Sequence, residues 1–239
     1  MPAFSAIATG RIAAHLLVGL ATSVAPALAD SVGSADGRPL YELPVPGSYE
    51  LPVIDRVGSH LLLDDSGRRV SMPDVPPGGC AVVSFIYANC SDAGGCPRVL
   101  ASLRRVDRAV ASNPALAGRV RLLTVSFDPV NDTPERLAKL RAHLQPRGEW
   151  IFLTSASDRE IRPVLDDFGQ DALRLVSAED GGSLGVIRHI AKVFLLDSHL
   201  AIRNIYSSGF LDPDMLLRDI ETILLEGQIR SEAPPDEKR

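Results

Sequence analysis

Cysteine is scarce: Cys80, Cys90 and Cys96 are the only three in 239 residues. In an oxidising compartment that allows at most one internal disulfide and leaves one thiol over. There is no Cys-x-x-Cys, the pair on which generic thioredoxin-type oxidoreductases rest. A basic excess is missing too. The formal net charge is −5 and no basic run carries interleaved aromatics, which argues against a nucleic-acid binder. No internal repeat is visible. What is left is a chain of ordinary globular size, 45% hydrophobic, enough for one domain with a full core.

The longest apolar run lies near the start. Residues 1–29 hold a single charge, Arg11, then an apolar segment over 12–25, then Ala27-Leu28-Ala29 ahead of Asp30. That is the layout of a secretory leader. The apolar part is short for a spanning helix and is interrupted by His15, Thr22 and Ser23, with Pro26 following. Cleavage after Ala29 is expected rather than a retained anchor, and the remainder is expected in the periplasm or otherwise outside the cytoplasm. Residues 30–46 read as an extended lead-in, 47–226 as the folded domain and 227–239 as a disordered tail.

The domain is organised around VVSFIYANCSDAGGCP, residues 82–97. An apolar run without alternation ends in Cys90, and a strand of that kind is buried on both faces. After five intervening residues Cys96 precedes Pro97, which suits the first turn of a helix. Cys96 is therefore expected beside a helix N-terminus, where free N–H groups and the dipole favour a thiolate. Gly94 and Gly95 let the connecting loop fold back so that both sulfurs face one point.

Elsewhere, short strands are expected at 51–54, 60–63 and 68–70, and buried ones at 119–127 and 150–153. Val99, Leu103, Val106 and Val110 mark one helical face; Leu137, Leu140 and Leu144 mark a second, after the cap Thr133-Pro134. A third helix is read over 158–168 despite Pro163, and a Gly-rich hairpin excursion over 171–188. Strands at 192–197 and 201–206 precede a last helix capped by Asp212 and ending before Gly227. This order implies an α/β domain of the thioredoxin-like class, a mixed central sheet with helices on both faces and an N-terminal strand extension.

Cys90 and Cys96 can form a structural disulfide worth about 2 kcal/mol, exchange disulfides, or bind a soft metal. Their position, where a buried strand meets a helix, favours chemistry over a staple. A metal wants a further ligand. His189, just ahead of the strand at 192–197, is the histidine best placed to reach the cysteine loop, although a lone histidine there also reads as a surface residue. His60, His143 and His199 read as surface positions. Two sulfurs and one imidazole suit copper(I), whereas zinc wants a fourth ligand, which Asp92 is able to supply. Asp128 is either a supporting acceptor that orients His189 or tunes a thiol, or a turn residue. Cys80 reads as a small buried hydrophobe, with a third reactive thiol as the alternative. Arg98, Arg104, Arg105 and Arg108 give the first helix a basic face, either solvated or a guide to an acidic partner.

Several segments together resemble the Sco/SenC family: SFIYANC with Cys96-Pro97, TVSFDPVNDTPERLAKL at 124–140, WIFLT at 150–154, HIAKVFLLD at 189–197 and IYSSGFLDPDMLLRDI at 205–220. The resemblance covers residues 47–225. It implies a thioredoxin-like copper metallochaperone whose ligands fall on Cys90, Cys96 and His189, delivering copper to a cuproprotein, a cytochrome oxidase subunit in that family. One departure stands out. The family separates its cysteines by three residues and this chain by five, which widens the loop and gives weight to a thiol-disulfide role towards an acceptor's cysteine pair, or to a redox or copper sensor. Where generic thioredoxins carry a cis-proline, His189-Ile190-Ala191 stands instead.

Overall fold

The computed structural model describes residues 41–176 and 183–232. The expected leader, most of the lead-in and the last residues of the tail lie outside them. Strand β4, Cys80–Ile86, is the centre of the fold and is buried along its whole length. Its alternate side chains enter two cores. Cys80 and Val82 join one, while Ala81, Val83 and Phe85 join the other. This is why the run shows no polar alternation in sequence.

Parallel β5 (Val120–Ser126) pairs with β4, and β6 (Trp150–Thr154) pairs with β5. On the other flank β9 (Lys192–Asp197) runs antiparallel to β4, followed by β10 (Ala201–Ser207) and the two-residue edge β1 (Asp55–Arg56). The hairpin of β2 (His60–Asp64) and β3 (Arg69–Met72) adds to β6. The eight strands lie in the order β1-β10-β9-β4-β5-β6-β2-β3.

Helices α1 (Cys96–Ser112), α2 (Pro134–Leu144) and α4 (Pro213–Glu232) contribute to one core, while α3 (Asp158–Asp167) packs on the opposite face. The Thr133 hydroxyl accepts from Arg136 N and caps α2. Ser157 caps α3, which continues through Pro163. A polar chain crosses the core: Trp150 Nε1 donates to Thr124 Oγ1, which pairs with Ser84 Oγ at 2.9 Å. Each buried group thereby finds a partner.

Two expected boundaries differ. Residues 51–54 form no strand: Pro52 has no N–H to give, and the Leu51 carbonyl accepts from the Arg203 guanidinium instead. Ladder pairing begins at Asp55, three residues after Pro52. Helix α4 passes through Gly227 to Glu232. Gly227 does not adopt the positive φ that ends helices.

The excursion at 171–188 is a separate two-stranded sheet of β7 (Ala172–Val176) and β8 (Ser183–His189), with residues 177–182 not described. His189 is its final residue, paired with Ala172. Two contacts fasten its base to the main body. Gln170 Nε2 donates to Ile190 O at 3.0 Å, and Lys192 Nζ to Gly169 O at 2.7 Å.

Candidate metal centre

The C-terminal end of β4 delivers Tyr87 and then the Cys90 loop. Cys90 N donates to Tyr87 O, and the five-residue spacer is folded on itself: Gly94 N donates to Asp92 Oδ1 at 2.9 Å and Gly95 N to Asp92 O at 3.0 Å. These turns bring the chain back to Cys96, the first residue of α1. Cys96 is buried and Cys90 half-buried, and both are free thiols.

His189 comes in from the hairpin. Its Nε2 lies 3.7 Å from Cys96 Sγ, and the ligand atoms of Cys90, Cys96 and His189 all lie within 4.8 Å of one another. Sulfur and imidazole bonds to a first-row ion of about 2.3 and 2.0 Å, opened to a trigonal angle, separate S from N by about 3.7 Å. The Cys96–His189 spacing matches one edge of such an arrangement. His189 Nδ1 faces the Ile187 carbonyl at 3.0 Å. A carbonyl only accepts, so Nδ1 carries the proton and Nε2 turns its lone pair towards the sulfur.

Aromatic rings fix the imidazole. Phe127 lies with its centroid 4.8 Å from that of His189, and Tyr87 meets the same ring edge-on at 5.6 Å. Burial of Cys96 and the nearby Cys90 thiol push its pKa up to about 12, although the Tyr87 backbone opposes the shift. Desolvation thus outweighs the helix N-terminus, and the expected thiolate is a thiol in the metal-free protein. Tyr87 is likewise raised, by burial first and then by Cys90.

Of the residues singled out in the sequence, the fold unites Cys90, Cys96 and His189. Asp92 does not join them, because its carboxylate is turned back on the Gly94 amide of its own loop. Asp128 is buried at the end of β5, where its Oδ2 accepts from Asn131 Nδ2 at 2.8 Å and its N donates to Ser126 Oγ. Cys80 is fully buried at the opposite end of β4, its pKa pushed up to about 12 by burial, as suits a small core residue. His60 is not a plain surface residue, since its Nε2 pairs with Asp167 at 2.8 Å. His143 is exposed on α2.

Sequence reasoning missed Tyr87, Phe127 and Asp132. The two aromatics stand in the very segments SFIYANC and VSFDP, so the signal was their place at strand ends. Asp132 is fully buried, and its Oδ2 accepts from Ala88 N at 2.8 Å and from Ser126 Oγ at 2.6 Å. It ties the end of β5 to the start of the cysteine loop. Its neighbour Arg136 donates to Asn89 in the same loop.

The profile of the SCO1/SenC family matches residues 53–225, well over half the chain. The chain belongs to the SCO1/SenC family. A SCO1 protein homolog from Bacillus subtilis (strain 168) is 26% identical over 134 residues, 56% of this chain and 64% of that protein. The chain thus spans a little under two thirds of that relative's length. Among solved structures, Arabidopsis thaliana ScoI with copper bound is 23% identical at a TM-score of 0.55, covering 73% of this chain and 98% of that one. BsSco, a member of the Sco family of cytochrome c oxidase assembly proteins in which a disulfide switch was identified, is 22% identical at a TM-score of 0.57, over 74% and 98%. These likenesses carry the fold: this SCO1/SenC chain is a mixed α/β protein of the thioredoxin-like class.

Proposed function

We propose that this protein is a copper(I) metallochaperone that acts outside the cytoplasm, in the periplasm, and delivers its ion to a cuproprotein in cytochrome c oxidase assembly. The observation that carries the proposal is the convergence of two sulfurs and one imidazole within 4.8 Å. Soft thiolates with a neutral nitrogen match copper(I), and the trio leaves zinc without its fourth protein ligand among the described residues. Copper is cargo here, held by Cys90, Cys96 and His189. The extracytoplasmic setting is supported by the leader-like residues 1–29, and among the described residues no helix is long and apolar enough to cross a membrane.

Loading displaces the thiol protons of Cys90 and Cys96 while Nε2 of His189 offers its lone pair without losing one. Delivery proceeds by ligand exchange. His189 sits at the half-open mouth on a two-stranded hairpin, so an incoming sulfur or imidazole replaces it first and the thiolates follow. Asp128 supports the site through its turn, which carries Phe127 against the imidazole.

A second reading rests on the same sulfurs. As a dithiol, Cys90 and Cys96 give two electrons and two protons to an acceptor's disulfide, becoming a disulfide as the acceptor becomes a dithiol. Both readings require the reduced pair.

The deciding experiment is a copper(I) titration of the reduced protein with X-ray absorption. One copper per protein with two sulfur neighbours and one nitrogen is expected. Undiminished copper binding by Cys90→Ser or His189→Ala would falsify the assignment.

A further inference from the structure

Beside the metal centre, α1 and α2 leave a groove of about 470 Å³ between them. Its near end is formed by Ala88 and Pro97, the residues that flank the cysteine loop, and its floor by Leu100, Ala101, Leu140 and Leu144. Apolar surface left open on a folded domain marks a site of contact. One wall is cationic: Arg104, Arg105 and Arg108 line it, with His143 opposite, and no acidic residue contributes to the lining. On a chain whose net charge is −5, this concentration of positive groups is local.

The cations are largely uncommitted. Arg105 reaches Asp214 at 3.3 Å. Arg104 Nε is buried without a hydrogen-bond partner among the described residues. A buried donor in that state is costly until something accepts from it. The one carboxylate on this stretch of α1, Asp107, is buried, accepts from Arg147 N and Gly148 N, and does not line the groove.

We infer that this groove is the docking site for an acidic segment of the protein that receives the copper, with apolar side chains seated on Leu100 and Leu140 and carboxylates on Arg104 and Arg108. The inference takes copper delivery as its setting and adds the partner's chemistry. An acceptor held there lies against Pro97 and Ala88, one residue from Cys96 and two from Cys90. Electrostatic steering brings it in, and the apolar floor fixes the register.

The probe is a short synthetic helix-forming peptide with a leucine face flanked by glutamates, compared with its lysine twin and with phosphatidylglycerol vesicles. All are titrated into the metal-free reduced protein while the methyl resonances of Leu100 and Leu140 are followed. The glutamate peptide is expected to shift them with an affinity that falls as salt is raised, and the lysine twin is not. Arg104→Glu combined with Arg108→Glu is expected to weaken the peptide about ten-fold. Ala101→Trp, at an exposed floor position, is expected to block it with the fold intact. Equal binding of both peptides, no methyl shifts, or binding to the vesicles in place of the peptide each overturns the inference. Because no copper is present, those results are independent of whether Cys90, Cys96 and His189 hold the metal.

Discussion

Nε2 of His189 lies 3.7 Å from Sγ of Cys96, although 93 residues separate them in the chain. The two reach each other from different sheets, Cys96 from the helix that follows β4 and His189 from the end of the β7–β8 hairpin. Removing the imidazole leaves two sulfurs, which are expected to hold copper(I) in two-coordinate form. His189→Ala is expected to weaken copper(I) by about 100-fold or more, since loss of a merely supporting group already costs 10–100-fold. Its X-ray absorption should show the nitrogen neighbour gone and both sulfurs kept. A competition titration against a chelator of known affinity measures the first, and unchanged affinity would remove His189 from the site.

Much of this was legible before any coordinates. The doubly buried strand, the helix begun by Cys96-Pro97 and the caps at Thr133 and Asp212 follow from short-range rules, and they stand where those rules put them. The three converging residues, Cys90, Cys96 and His189, were legible as types and, through the resemblance, as positions. Three features were hidden for a physical reason: they depend on which strand ends meet. Asp132 sits in a turn after β5, and nothing local shows that its carboxylate will receive the amide of Ala88, two residues past the end of β4. Phe127 and Tyr87 look like core aromatics until the hairpin lays His189 across them. The Cys96 thiol was misjudged because a helix N-terminus is visible in sequence and the burial that overrides it is not.

That burial makes copper binding dependent on pH. With its pKa up at about 12, Cys96 keeps its proton through the neutral range, and copper(I) must displace it. Apparent affinity should therefore rise with pH by at least about ten-fold per unit between pH 6 and 8, one proton being released at Cys96. Stability of the metal-free fold has the opposite sense. Cys80 and Cys96 bind protons more tightly folded than unfolded, where a thiol titrates near 8.5. Their contribution is complete below that value and is lost as pH climbs towards 12. Proton release on copper addition, read with an indicator dye, checks the first claim. Denaturant midpoints of the copper-free protein between pH 7 and 11 check the second.

Asp132 is expected to be the most sensitive position that touches no ligand. Its carboxyl pKa is raised by burial, against the hydrogen bonds from Ser126 and Ala88, so the ionised form is held at some cost. Asp132→Ala leaves the Ala88 amide and the Ser126 hydroxyl without their acceptor and should destabilise the fold by about 2–3 kcal/mol. Asp132→Asn keeps one oxygen for those donors and should cost less. Because Ala88 leads into the Cys90 loop, copper affinity should fall in the alanine variant by about ten-fold. Loss of stability with no change in copper affinity would limit Asp132 to the scaffold.

The five-residue spacer poses the last question, because a longer loop ought to hold its two sulfurs less firmly. Asp92 counters this by folding the spacer on itself through Gly94 N and Gly95 N. If the gain is preorganisation, it applies equally to the chelate and to the disulfide, because both require the same approach of Cys90 to Cys96. Asp92→Ala removes the side-chain acceptor of one such bond, worth about 1 kcal/mol. Copper(I) affinity should drop about five-fold and the reduction potential should become less negative by about 20 mV, the same free energy expressed in two ways. Titration and redox equilibration with glutathione measure the pair on one sample. If affinity falls and the potential stays, the Asp92 carboxylate acts on the metal through its charge, and the folded spacer is not what keeps the two sulfurs together.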